Sequence, residues 1–280
     1  MRQAELAWQT HDGLRIFARE WRPDDDNVRA VVVLVHGLGE HTGRYAHVAA
    51  TLCDAGYVLL GADIRGHGRS AGERGHSPTY DDLLDDLGLL LEQAGARFPG
   101  LPRFLYGHSL GGGIVLNYAL DRSVDLAGVI ATAPLLAIAY EPPRLKLVGG
   151  RVLRRVAPRF SMGSEIDPKA LSRDPNLVYR DDPLVHDRLS AALGIDMLEN
   201  GLRALERASD FSLPLLLMHG GADTITSVQA TCRFAELAGD VCSLQILDGL
   251  LHEVHNEPEK DEVLALMVAW LRRHTPEEAD

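Results

Sequence analysis

Short apolar runs alternate along this chain with segments of helical period, and that alternation constrains the fold more than any other feature. Leu14 to Trp21 alternates apolar with polar residues, and Ala30 to Val35 is continuously apolar and β-branched. Tyr57 to Ala62, Arg103 to Tyr106, Ala127 to Thr132, Leu213 to Met218 and Cys242 to Leu247 are further short runs. Continuous runs of this length read as strands buried on both faces, as parallel sheets require. Between them, Tyr80, Leu83, Leu84, Leu87, Leu90 and Leu91 recur at helical spacing, with Asp81 and Asp82 in the first turn, where the helix dipole favours negative charge. Gly95 and Pro99 are expected to close that helix. Gly111 to Leu120, Val228 to Leu237 and Val263 to Leu271 repeat the helical pattern. The expected class is α/β: a mostly parallel sheet with helices on both faces.

One region breaks the rhythm. From Pro134 to about Phe211 no strand pattern appears, and prolines recur at Pro142, Pro143, Pro158, Pro168, Pro175 and Pro183. This predicts a helical cap, residues 134–211, inserted into a core made of residues 1–133 and 212–280. A chain of 280 residues fits one large domain carrying such an insertion. Within the insertion, Arg144, Lys146, Arg151, Arg154, Arg155 and Arg159 interleave with Leu145, Leu147, Val148, Val152, Leu153 and Val156, with no acid among them. Two readings fit: a lid that touches lipid or an anionic membrane surface, or a packed cap helix with a solvated basic side, which is preferred on composition alone.

A formal net charge of −12 argues against nucleic acid as a partner, because a phosphate backbone would meet net repulsion. The opening residues, Met1 to Leu6, lack the charged start and apolar run of a secretion signal, and no stretch approaches the roughly 20 apolar residues that span a bilayer. The expectation is a soluble, cytoplasmic chain with at most transient peripheral contact with a membrane, acting as a monomer or weak homo-oligomer. Cys53, Cys232 and Cys242 form no close pair and are expected to pack as small apolar residues.

Chemistry enters at Gly107-His108-Ser109-Leu110-Gly111, directly after one apolar run and directly before a helical one. A serine hydroxyl attacks only if it projects clear of its neighbours and a base takes its proton; a sharp strand-to-helix turn supplies the projection. The following helix N-terminus aims backbone N–H groups at a developing oxyanion, which makes Leu110 N–H one expected donor. Leu38 N–H, in His36-Gly37-Leu38-Gly39-Glu40-His41 after an earlier strand, is the other. Gly37 and His108 are expected to border the substrate. An acid and a base are needed late in the chain. Asp223, in His219-Gly220-Gly221-Ala222-Asp223, and His252, in Asp248-Gly249-Leu250-Leu251-His252, each follow a strand run. Asp248 and His255 are the rivals. His252 and His255 stand three apart, one short of the common zinc-protease spacing, so no metal is expected, and no cofactor. Asp63 and Arg65, in Asp63-Ile64-Arg65-Gly66-His67-Gly68-Arg69-Ser70, read as structural, satisfying backbone groups and each other.

Together with Gly112 and with His252-Glu253-Val254-His255-Asn256-Glu257, these segments resemble the monoacylglycerol lipase and lysophospholipase group of α/β-hydrolases, grouped by similarity with serine aminopeptidase-type hydrolases. The resemblance implies an α/β-hydrolase fold with a mostly parallel eight-stranded sheet, and Ser109 as nucleophile, Asp223 as acid and His252 as base. It also implies a single-chain acyl ester substrate that enters through a cap with an apolar tunnel and a polar pocket for the alcohol. The expected activity is hydrolysis of short- to medium-chain acyl esters, monoacylglycerol first. Lysophospholipid is the near alternative; an amide or peptide substrate, or a binding protein without turnover, is the more distant one.

Overall fold

The computed structural model describes residues 1–25, 27–122, 125–140, 142–177 and 181–276. In chain order its strands are β1 (Arg2–Gln9), β2 (Arg15–Arg22), β3 (Ala30–Val35), β4 (Tyr57–Ala62), β5 (Arg103–His108), β6 (Gly128–Thr132), β7 (Ser161–Gly163), β8 (Arg188–Ser190), β9 (Leu215–Gly220) and β10 (Cys242–Leu247). Its helices are α1 (Ala46–Asp54), α2 (Tyr80–Arg97), α3 (Leu110–Asp121), α4 (Arg144–Val156), α5 (Ala191–Glu206), α6 (Val228–Ala238) and α7 (Lys260–His274). The main sheet has eight strands in the order β1-β2-β4-β3-β5-β6-β9-β10. Only the β1–β2 and β2–β4 pairs are antiparallel.

The continuous apolar runs follow from burial on both faces. Val31, Val33 and Val35 of β3 face a core formed with α2, α3, α5 and α6, while Val32 and Leu34 face α1 and α7. Leu83, Leu84, Leu87, Leu90 and Leu91 of α2 are all buried, each contributing about 1.5–3 kcal/mol by leaving water. Thr79 caps α2 reciprocally with Asp82, so Asp82 serves as a capping-box residue as well as a favourable charge.

The architecture expected from the sequence is the one observed, with local differences. Strand β1 lies at the sheet edge with alternate residues exposed, so it presents no apolar run. Helix α2 runs past Gly95 to Arg97, because a glycine inside a helix costs only about 1 kcal/mol against the packing of the whole helix. The segment between β6 and β9 is not free of strands: β7 and β8 pair antiparallel. Nor is all of it peripheral, since Leu193 and Ala204 of α5 are buried in the same apolar cluster as α2 and α3. Cys53 is buried, whereas Cys232 and Cys242 are partly exposed. No helix among the described residues is long and apolar enough to cross a membrane.

Candidate active site

Every parallel strand of the sheet ends on the same edge, and the loops that follow β3, β5, β9 and β10 meet there. Ser109 occupies the turn between β5 and α3 with φ 53° and ψ −115°, a conformation L-residues rarely adopt and which costs about 1–3 kcal/mol. The surroundings hold it there. Ser109 N–H donates to Thr132 O at 3.0 Å, and Ser109 O accepts from Gly113 N–H at 3.0 Å and Leu135 N–H at 2.9 Å. The flanking glycines are required by crowding: a Cβ on Gly107 would lie 2.3 Å from Gly111 O, and one on Gly111 would lie 2.1 Å from Val35 O.

His252, in the loop after β10, places Nε2 2.9 Å from Ser109 Oγ and Nδ1 2.7 Å from Asp223 Oδ2. With Nδ1 donating to the carboxylate, Nε2 is left to accept from the serine hydroxyl, the protonation pattern a base requires. Asp248 does not take part in this line, and the His255 ring lies elsewhere, buried and stacked on Tyr45 with centroids 4.8 Å apart. Among the described residues no three His, Cys, Asp or Glu side chains group as a cation site.

Asp223 is more heavily supported than the sequence suggests. Its Oδ2 also accepts from His219 Nε2 at 2.9 Å and Thr226 Oγ1 at 2.8 Å, and its Oδ1 from Ile225 N–H at 2.7 Å and Thr226 N–H at 3.2 Å. Burial pushes its carboxyl up; the hydrogen bonds from His219, His252 and Ile225 overcome this and hold it well below the usual carboxylate range. His219 and Thr226 carried no role in the sequence reading. The only signal is position, one at the end of a strand and one three residues past Asp223.

The expected oxyanion donors sit on two of these loops. Leu110 is the first residue of α3, where N–H groups have no intrahelical acceptor. None of the hydrogen bonds found among the described residues uses the Leu38 N–H, and Leu38 lines a cavity of about 330 Å³. That cavity lies between the sheet edge and the segment joining β6 to β9, with Ile138, Leu147, Leu153, Leu189 and Leu198 on its walls.

Gly37 and His108, expected to border the substrate, bond through their polar groups to Glu40 and Thr132. Gly37 N–H donates to Glu40 Oε1 at 2.5 Å, and a Cβ there would press on His108 and Ser109. His108 is 2% exposed, with Nδ1 3.1 Å from Thr132 Oγ1 and its ring against His252 and His255. Burial pushes its pKa down to about 4, so it is a neutral wall behind the His252 ring.

Sequence reasoning also missed an ionic bridge below the site. Arg44 donates to Glu40 at 2.8 Å and, through both terminal nitrogens, to Glu253 at 2.9 and 2.8 Å, all three side chains being buried. It ties the Leu38 loop to the residue next to His252. Asp63 and Arg65 are structural but do not satisfy each other. Asp63 accepts from Thr42 and Arg69 N–H groups, while Arg65 pairs with Asp86 and Asp12.

A family profile described as serine aminopeptidase, S33 (Hydrolase_4) matches residues 26–259. Monoacylglycerol lipase of Mycolicibacterium smegmatis is 35% identical over 266 residues, 94% of each chain. An uncharacterised abhydrolase domain-containing protein of Dictyostelium discoideum is also 35% identical over 268 residues, and there the chain spans only 28% of the longer protein. Among solved structures, that of Paleococcus ferrophilus monoacylglycerol lipase superposes with a TM-score of 0.83 at 35% identity, covering 98% of this chain and all of the other.

Proposed function

The chain belongs to the Hydrolase_4 (serine aminopeptidase, S33) family, in its monoacylglycerol lipase group, and on that premise we propose that it hydrolyses monoacylglycerol through an acyl-enzyme on Ser109. It is a carboxylic ester hydrolase of the α/β-hydrolase fold. The observation that carries the reading is the hydrogen-bonded line from Ser109 through His252 to Asp223, beside an apolar cavity that Leu38 borders. Ser109 Oγ attacks the ester carbonyl while His252 Nε2 takes its proton. The carbonyl oxygen, now negative, is met by Leu38 N–H and Leu110 N–H. His252 then protonates the departing glycerol oxygen, and water, activated by the same imidazole, releases the fatty acid. Ionised Asp223 stabilises the histidine cation formed between these steps.

Charge favours glycerol over a phosphate head group. Lys146, at the cavity wall, pairs with Glu165 at 2.7 Å, Arg151 pairs with Glu199 at 2.9 Å, and Arg154 pairs with Asp196. Three of the basic residues that would welcome a phosphate are already neutralised. The test is hydrolysis of a medium-chain monoacylglycerol, the matching lysophosphatidylcholine and an amino-acid anilide. The first is expected to turn over fastest, and the Ser109→Ala form to lose at least about 10⁴-fold of that rate. Equal rates from both forms would end the proposal.

Residues 134–211 act in this reading as a cap over the acyl cavity, and α4 is its lipid-facing element. Leu147, Gly150 and Leu153 turn inward, whereas Leu145 is 86% exposed, Val148 56%, Val152 54% and Val156 74%. This apolar stripe, rather than the largely paired basic side, suits insertion at a lipid–water boundary. The L145D/V156D variant is expected to lose flotation with neutral phosphatidylcholine vesicles and keep its rate on a soluble short-chain ester. Undiminished flotation would refute the assignment.

A further inference from the structure

The loop that carries Leu38 is held from two sides. On the core side, Gly37 N–H is bound by Glu40, and the buried His36 ring donates Nδ1–H to Gly37 O at 2.8 Å while Nε2 accepts Ile64 N–H at 2.9 Å. The other side is held by the segment between β6 and β9. His186 N–H donates to Gly39 O at 2.9 Å, one residue beyond Leu38. His41 Nε2 lies 2.8 Å from Asp182 Oδ2, joining residues 141 apart in sequence.

Donor roles in that second contact follow from the neighbours. His41 Nδ1 accepts Gly43 N–H at 3.1 Å, so the ring proton resides on Nε2 and is donated to the Asp182 carboxylate. Asp182 Oδ1 accepts Leu184 N–H at 2.9 Å, which locks the carboxylate into its own turn. His186 is fixed in the same way: Nδ1 accepts Arg188 N–H at 3.2 Å, and Nε2 donates to Gly66 O at 3.1 Å. The Asp182–His186 turn therefore clasps both the Leu38 loop and the glycine turn after β4.

We propose that Asp182 is a positioning residue for oxyanion stabilisation: through His41 it holds, from outside the core, the turn that aims Leu38 N–H at the substrate carbonyl. The inference rests on Leu38 being an oxyanion donor. It gives the inserted segment a part in the chemical step, distinct from covering the acyl cavity. A misaimed donor loses much of its value, because such groups act only if preorganised.

The test compares wild type, Asp182→Ala, Asp182→Asn and Ser109→Ala on a short, water-soluble ester, which does not need the acyl cavity, and on a medium-chain monoacylglycerol. Asp182→Ala is expected to lower kcat by about tenfold on both, a fraction of the roughly 10²–10³ that loss of a whole donor costs, with KM within about twofold. Asparagine retains an acceptor for His41 Nε2–H and is expected to restore most of kcat. The rate of inactivation by a p-nitrophenyl phosphonate, which develops charge at the same place, is expected to fall in parallel. Unchanged kcat with a raised KM for the long ester alone, or a lowered melting temperature with unchanged kcat, overturns the proposal. An active Ser109→Ala form would instead overturn the underlying reading of the site.

Discussion

Asp223 shows how much one carboxylate is asked to do. It accepts five hydrogen bonds, two of them from histidine rings, and all of them favour its ionised form. The carboxylate therefore does not compete for the proton that His252 carries, and it dictates which His252 nitrogen is free. Asp223→Asn turns an acceptor into a group that also donates, and Nδ1 then faces N–H, so the wrong tautomer is favoured. The expected result is a fall in kcat of about 10⁴-fold with little change in fold, measured by ester turnover alongside circular dichroism. A loss of only a few-fold would mean that His252 does not depend on Asp223 for its tautomer.

At the scale of elements, the site is the meeting of loops after β3, β5, β9 and β10, and the fold must keep those loops in register. The strained Ser109 turn is held by Thr132 and Leu135 as well as by α3. The β3 and β10 loops are joined by Arg44, which lies between Glu40 and Glu253. Burial pushes the Glu40 carboxyl up; Arg44 and the histidines around it outweigh this and bring it down to about 2. Arg44→Met would leave two buried carboxylates facing each other without their cation. Removing one partner of a buried ionic set costs about 3–5 kcal/mol, so the variant should unfold at clearly lower urea concentration and be recovered in part by Glu253→Gln. Wild-type stability in Arg44→Met would show that the bridge is dispensable.

For the whole molecule, buried titratable groups set the response to acid. Burial lowers His108 and His186 to about 4 from an ordinary 6.5, and holds His67 and His255 well below that ordinary value. The unfolded chain therefore binds more protons than the folded one once the pH drops below 6.5, and stability falls with pH through that window. Carboxylates such as Glu40 add a second loss below their ordinary 4.5, as the pH approaches the folded value near 2. Unfolding midpoints measured from pH 8 to pH 4 should be flat above about pH 7, decline from about 6.5 and steepen below about 4.5. A midpoint constant between pH 7 and pH 5 would contradict this account.

What the chain reveals before folding is whatever depends on near neighbours. Runs such as Ala30 to Val35 announce doubly buried strands, the leucines of α2 announce their own helix, and a serine framed by glycines between strand and helix announces a sharp, crowded turn. The residues late in the chain were readable because each follows a strand, and parallel strands bring their following loops to one edge. The pairings across the chain were not readable. Arg44 and Glu253 lie 209 residues apart, and His41 and Asp182 lie 141 apart. Among 40 acidic and 28 basic residues, charge alone selects no partner. Tertiary packing decides which carboxylate is buried beside which cation, and so decides that Gly37 N–H serves Glu40, that His219 shares Asp223, and that the loop bearing Leu38 is clasped from beyond the core.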